Sequence, residues 1–161
     1  EFLTHISSSL LNKASGLRDK ITIKLRGKIS KRLRKKIARL GGYRHTLHAL
    51  LLMSFDELNP TMYDYLLSLR GLEPDESKEV ERRLGERIPW RIDEERFSES
   101  LLALVKAFTY VGYNIVVIAI DELEMLYGWH KDWIMRFLPK LTALLNVRLR
   151  QPSINSNSHS H

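Results

Sequence analysis

The sequence predicts a helix-rich α/β fold with few strands, and two observations support this. Several segments repeat apolar residues at the three- and four-residue spacing of amphipathic helices. One segment, residues 115–120, is an unbroken apolar run rich in β-branched residues, which is typical of a strand covered on both faces. Because such a run also fits a buried helical segment, a mostly α fold is the alternative.

Composition sets the first limits on function. The 161 residues are 43% apolar and 28% charged, which is enough for a real hydrophobic core. The absence of cysteine excludes disulfides, thiolate metal sites and thiol catalysis. The longest apolar stretch contains Lys106, Gly112 and Asn114, so we expect no membrane span. With no visible signal peptide, we expect a cytoplasmic protein.

Changes in composition divide the chain into three parts. Residues 1–42 form a basic amino-terminal segment with an amphipathic helix, and residues 43–150 form a helix-rich α/β region that includes the strand. Residues 151–161 have the polar composition of a flexible or engineered tail.

The amino-terminal segment carries two different patterns. Residues 1–27 are loosely patterned, and Ile21, Ile23 and Leu25 alternate with polar residues, which favours a short edge strand or an extended arm. From Ser30, a suitable N-cap, apolar residues recur at helical spacing until the pair Gly41-Gly42. The second pattern predicts a basic amphipathic helix.

Further helices are predicted along the rest of the chain. One covers about 43–54, the next begins at Asn59 with Pro60 in its first turn, and a charged surface helix covers 75–84. Asp93 caps the clearest helix, which ends at Gly112. Its apolar stripe comprises Phe97, Leu101, Leu104, Val105, Phe108 and Val111. A last helix contains Trp133, Ile134, Phe137, Leu141, Leu144 and Leu145, and is bent or interrupted by Pro139.

An acidic pair, Asp121-Glu122, follows the predicted strand. A carboxylate at the carboxyl end of a buried strand can hold Mg²⁺, and the next carboxylate can polarise an attacking water. This is the form of a Walker B element. The alternative is a core strand followed by a helix whose acidic first turn complements the helix dipole.

The stretch from Leu66 to Leu145 resembles the central part of a family of AAA+-like P-loop ATPases, the archaeal and BREX-type ATP-binding proteins. The resemblance follows the order of "LGERIPWRID", "FSESLLALVKAF" and "VGYNIVVIAIDELEML", with a long helix afterwards. It implies that Asp121 holds the metal, that Glu122 is catalytic, and that ATP and Mg²⁺ are the cofactors.

The phosphate-binding part of such an ATPase is missing from the sequence. No segment matches Gly-x-x-x-x-Gly-Lys followed by Ser or Thr, and neither 27–30 nor 41–46 replaces it. We therefore expect a partial or degenerate ATPase region that does not hydrolyse ATP alone. Its expected partners include other subunits or a chain that supplies the phosphate loop.

Positive charge is concentrated near the amino terminus. Between Arg18 and Arg39 there are eleven Lys or Arg residues and one acid, Asp19. We expect the helix in this segment to contact the phosphate backbone of DNA or RNA. The predicted contacts are Lys28, Lys31, Arg32, Arg34, Lys35, Lys36 and Arg39.

Two other interpretations of this charge remain open. The basic face could be solvated or pair with the acidic helix near 76–81, and an anionic membrane is a less favoured partner because no aromatic anchor is present. For the whole chain, the alternative to an ATPase region is a non-catalytic helical module for nucleic-acid binding or assembly.

Histidine spacing gives no metal site by itself. His45 and His48 are three residues apart on a predicted helix, but no carboxylate on that helix completes a ligand set. We predict ordinary helix histidines at these positions.

Overall fold

A computed structural model describes residues 1–117 and the single residues 135, 139 and 142. Its contacts divide the chain into residues 1–121 and 122–161. Residues 1–117 contain seven α-helices, with a 3₁₀ turn at Glu94–Arg96 before the last. The helices are α1 Phe2–Ala14, α2 Leu17–Arg26, α3 Lys31–Ala38, α4 Arg44–Leu52, α5 Asn59–Leu66, α6 Pro74–Leu84 and α7 Phe97–Val111.

The predicted α/β fold is wrong, and the mostly α alternative fits the structure. No strand occurs among the described residues. Residues 115–117, the first half of the predicted strand, have no regular secondary structure, and Ile115 and Val117 are 79% and 83% exposed. A short apolar run favours a strand only where neighbouring strands can pair with it, and the described residues provide none.

Helix α4 lies at the centre of the described helices. It contacts α1, α3, α5, α6 and α7. All residues from Thr46 to Leu52 are buried. A helix buried on all sides must be almost wholly apolar, as the sequence Leu-His-Ala-Leu-Leu-Leu from Leu47 largely is. This agrees with the helix predicted over 43–54.

Helix α2 corrects the predicted strand or extended arm near the amino terminus. The side chain of Asp19 accepts a hydrogen bond from the backbone of Gly16 at 3.1 Å, which caps the first turn. Gly27 ends the helix in the left-handed region, with φ 58°. These two end signals outweigh the alternation of apolar residues over 21–25. An alternation of two or three residues is weak evidence for a strand.

Helix α7 confirms the prediction of a helix between Asp93 and Gly112. Asp93 Oδ1 accepts a hydrogen bond from the backbone N–H of Arg96 at 2.9 Å, and Gly112 ends the helix with φ 116°. The buried face is rotated from the predicted apolar stripe. Ser100, Ala103 and Ala107 are the most deeply buried residues of the helix, together with Val105, whereas Phe97 at the start of the stripe is 49% exposed.

Small residues explain this rotation, because they let α7 approach the turn before α4. A Cβ atom on Gly42 would lie 2.6 Å from the backbone nitrogen of Ala103, so only glycine fits there. The hydroxyls of Thr46 and Ser100 share a buried hydrogen bond of 2.6 Å. Close backbone packing therefore selects the small-residue face of α7.

The described residues contain no helix long and apolar enough to cross a membrane. The predicted helix over 133–145 lies outside the described residues except at positions 135 and 139 and 142, which are helical.

Candidate nucleic-acid interface

Helix α3 forms as the sequence predicts. The hydroxyl of Ser30 accepts a hydrogen bond from the N–H of Leu33 at 3.0 Å and so caps the amino end. Leu33 and Ile37 are buried, at 0% and 1% exposure. Burial of these two residues turns the opposite side of the helix outward.

Five of the seven predicted contacts are free cations on α3 or next to its ends. Their side chains are exposed and make no hydrogen bond or ion pair with any described residue. These five are Lys28, Lys31, Arg32, Lys35 and Arg39. An unpaired exposed cation keeps its full charge for an outside ligand.

The other two predicted contacts have partners within the protein. Arg34 is only 13% exposed, and its Nη1 lies 2.5 Å from Oε2 of Glu86. The Nζ of Lys36 donates to the carbonyl of Ala14, the last residue of α1, at 2.8 Å. Both cations therefore help to position α3, and we assign them a smaller share in any binding.

Helix α2 enlarges the basic surface. Arg18, Lys20, Lys24 and Arg26 are exposed, and their side chains have no ionic partner among the described residues. A cleft of about 400 Å³ lies between α2 and the start of α3. Its lining includes Arg18, Arg26, Lys28 and Arg32. We call the exposed cations of α2, α3 and the cleft the basic surface.

The one acid of this segment is used inside the fold. Asp19 is 8% exposed. Its Oδ1 accepts a hydrogen bond from the hydroxyl of Ser30 at 2.6 Å, while Oδ2 accepts the Gly16 bond that caps α2. Asp19 therefore joins α2 to the N-cap of α3 and lines the cleft, but it makes no ion pair with a described cation.

The loop between α2 and α3 is held by the end of α6. The N–H of Ile29 donates to the carbonyl of Arg83 at 2.7 Å, and Nη1 of Arg83 donates to the carbonyl of Gly27 at 3.2 Å. Gly27 has φ 58°, which favours glycine, and a Cβ atom there would lie 2.5 Å from that Nη1 and displace the Arg83 side chain. The cleft is therefore positioned by backbone contacts.

The acidic helix does not neutralise the basic surface in the described part of the chain. Glu76 pairs with Arg70 at 2.6 Å, Glu79 with Arg82 at 2.6 Å, and Glu81 with Arg87 at 3.0 Å. Each carboxylate thus has an arginine from its own region of the sequence. The interpretation that pairs the basic face with residues near 76–81 finds support only in the Arg34 contact with Glu86, just beyond α6.

The sequence prediction missed α2 as part of this surface, since it treated residues 21–25 as extended. It also missed Glu86, which lies beside Arg34 and His48. In the described residues, His45, His48 and Glu86 form a group of three potential metal ligands. Gly85 marks the end of α6, but no local pattern shows that the next residue meets α4.

Asp121 and Glu122, the predicted metal-binding and catalytic acids, lie outside the described residues. The expected binding of ATP and Mg²⁺ therefore stays a prediction. The chain matches no family model, no curated protein and no solved structure. The resemblance to AAA+-like ATPases thus gains no support from these comparisons.

Proposed function

We propose that this chain is a non-catalytic, helical module that binds the phosphate backbone of nucleic acids through the basic surface. The observation that carries the proposal is the set of free cations on α2, α3 and the loop between them. Phosphate contacts release counterions, and this supplies most of the sequence-independent affinity of nucleic-acid-binding proteins.

The geometry favours contact with phosphates over recognition of bases. Residues 17–39 contain no Asn or Gln that could form a bidentate contact with adenine. The cleft brings three guanidinium groups and one ammonium group around one opening, namely Arg18, Arg26, Arg32 and Lys28. One guanidinium group can donate two hydrogen bonds to oxygens of the same phosphate. A backbone phosphate therefore suits this opening.

The test is a salt titration of binding to fluorescent single-stranded and duplex oligonucleotides. For duplex DNA, each neutralised phosphate contributes about 0.9 to the slope of log affinity against log salt. The triple variant Lys31→Gln, Arg32→Gln, Lys35→Gln is expected to weaken binding and to reduce that slope by up to about three.

The matched control removes the same charge from paired cations. The variant Lys78→Gln, Arg82→Gln, Arg87→Gln loses three cations that each pair with a nearby acid. It should keep most of the affinity. Equal losses in both triple variants would mean that only net charge matters, and binding that is insensitive to salt would contradict the proposal.

An anionic membrane is the competing partner for the same charge. Leu17, Ile21 and Leu25 are 77%, 47% and 77% exposed and lie four residues apart on α2. Replacing Leu17 and Leu25 with Ser should leave oligonucleotide binding unchanged. If vesicles with anionic lipid bind the chain more tightly than oligonucleotides do, and this double variant abolishes that binding, the membrane interpretation is the correct one.

A further inference from the structure

Three side chains from different parts of the sequence converge beside α4. His45 and His48 are three residues apart on α4, so they project from one side of the helix. Glu86 approaches them from the end of α6. It directly follows Gly85, which ends that helix with φ 72°. The ligand atoms of all three lie within 4.8 Å of one another. No local pattern groups these three residues, because Glu86 is 38 residues beyond His48.

The polar atoms of this group lack hydrogen-bond partners. His48 is 3% exposed, and neither of its ring nitrogens makes a well-aligned hydrogen bond, although the backbone of Arg34 lies beside the ring. The Nδ1 of His45 and the Oε1 of Glu86 are also buried and without one. The Nδ1 of His48 lies 2.7 Å from that Oε1, but the two groups are not aligned as a hydrogen bond.

Such atoms are rare in folded proteins, because a buried polar group without a partner is destabilising. In the described part of the chain, seven buried side-chain polar atoms have no hydrogen bond. Four of the seven belong to His45, His48 and Glu86, and a fifth is the Nε of Arg34 beside them. Buried atoms of this kind are usually completed by an ion or by an ordered water.

The chemistry of the group suits a metal ion. Burial lowers the pKa of His45 to about 4 and also lowers the pKa of His48. Both rings are therefore neutral near pH 7, which is the form that donates a nitrogen lone pair to a metal. Glu86 supplies an anionic oxygen, and its other oxygen is held by Arg34. Outer contacts of this kind orient metal-binding carboxylates.

We propose that His45, His48 and Glu86 bind a divalent transition-metal ion, and that Zn²⁺ is the ion that suits them best. Two imidazoles and one carboxylate are a common three-ligand zinc set, which leaves a fourth position for water or an outside ligand. Mg²⁺ and Ca²⁺ prefer oxygen ligands and would not suit the two nitrogens.

The nearby charges also favour an ion with strong affinity for imidazole. Arg34 and Arg44 both act on His48, and their positive charge opposes a second cation. Coordination bonds from two nitrogens must therefore outweigh this repulsion, which Zn²⁺ can achieve and hard cations cannot. The bound ion would fasten α4 to the end of α6. Through the contact of Arg34 with Glu86, it would also restrain α3.

The test is a Zn²⁺ titration of the metal-free full chain by calorimetry. His159→Ala and His161→Ala are introduced into every form, because histidines near the carboxyl end could bind Zn²⁺ independently. We expect one Zn²⁺ per chain. His45→Gln should weaken binding by at least roughly 100-fold, since loss of even an outer partner of a metal ligand costs about 10–100-fold.

Two further forms make the test specific. Glu86→Gln should weaken binding as His45→Gln does, whereas His5→Gln, a change at an exposed histidine of α1, should leave it unchanged. Circular dichroism shows whether each form is folded. Equal affinity in His45→Gln and His5→Gln would overturn the proposal.

Co²⁺ offers a readout that needs no substitution in the cluster. When Co²⁺ replaces Zn²⁺ in a four-coordinate site, it gives intense visible absorption bands. We expect these bands in the form that lacks His159 and His161, and we expect Zn²⁺ to remove them. Their absence would overturn the proposal even if the cluster variants failed to fold.

Discussion

Helices α3 and α6 are alike in design and opposite in the use of charge. Each is a short, highly charged helix attached to the core by two buried apolar residues, Leu33 and Ile37 in α3, and Val80 and Leu84 in α6. In α6 the arginines pair with glutamates three or four residues away, as Arg82 and Arg83 do with Glu79. In α3 there is no acid at all.

The difference shows that charge density alone does not make a binding surface. A cation three residues from a glutamate has its field largely cancelled, and its hydrogen bonds are already made. Lys31, Arg32 and Lys35 of α3 keep both, since none of them pairs with a described residue. Among the described residues, α2 and α3 therefore bring together many exposed cations that have no ionic partner.

The largest expected effect concerns the buried leucines that attach both helices to the core. Leu33→Ala and Leu84→Ala each remove a side chain that is at most 1% exposed, so each should cost roughly 2–5 kcal/mol of unfolding free energy. Urea unfolding measures both. Leu25→Ala, at a residue 77% exposed on α2, is the control and should change little. A small effect in α3 alone would show that this helix is weakly attached.

A smaller effect should appear where α6 uses charge for stability. Hydrogen bonds from Arg70 lower the pKa of Glu76 to about 2, with further bonds from the backbone of Glu73 and from Thr61. Because the pKa in the folded state lies below the ordinary value of 4.5, this stabilisation is present above about pH 4.5 and is lost as the pH falls toward 2. Glu76→Gln should therefore cost about 1–3 kcal/mol at pH 7 and progressively less in acid.

Unfolding measured between pH 7 and pH 2.5 checks this dependence on pH. Glu81→Gln is the matched control, since its one ion pair within the described part of the chain is with Arg87, whose side chain is 86% exposed. Exposed pairs of that kind contribute about 0–1 kcal/mol. A difference between Glu76→Gln and the unmodified chain that does not shrink in acid would show that the ionised carboxylate is not the source of the stability.

Much of the helical fold could be predicted from local signals. Ser30 before α3, Asp93 before α7 and Gly112 after it act as the sequence indicates, because capping depends on the nearest backbone groups. The errors at residues 21–25 and 115–117 have a common cause. Both rest on the apolar pattern of a few residues, and a strand also requires a neighbouring strand that no local pattern shows.

The candidate sites divide in the same way. The cations of α3 could be predicted because they occupy one continuous segment of sequence. The contacts of Glu86 could not be predicted, because they depend on how α3, α4 and α6 pack together. These are its contacts with Arg34 and with the histidines. A search for metal ligands within one helix misses a carboxylate that arrives from another.

The smallest expected effect is a change in stability when an exposed cation is removed, and this change should have opposite signs in α3 and α6. Lys31→Gln and Lys35→Gln remove exposed cations that repel their neighbours and have no ionic partner among the described residues, so stability should stay the same or rise by up to about 0.5 kcal/mol. Arg82→Gln removes a cation that makes two bonds to Glu79, at 2.7 and 2.6 Å, so stability should fall slightly. Thermal unfolding at low and at high salt measures both changes.

Screening by salt should reduce each change in stability toward zero, because both changes arise from exposed charges. A loss of stability in both helices would mean that the α3 cations have partners within the protein, and those cations would then no longer be free to bind phosphate.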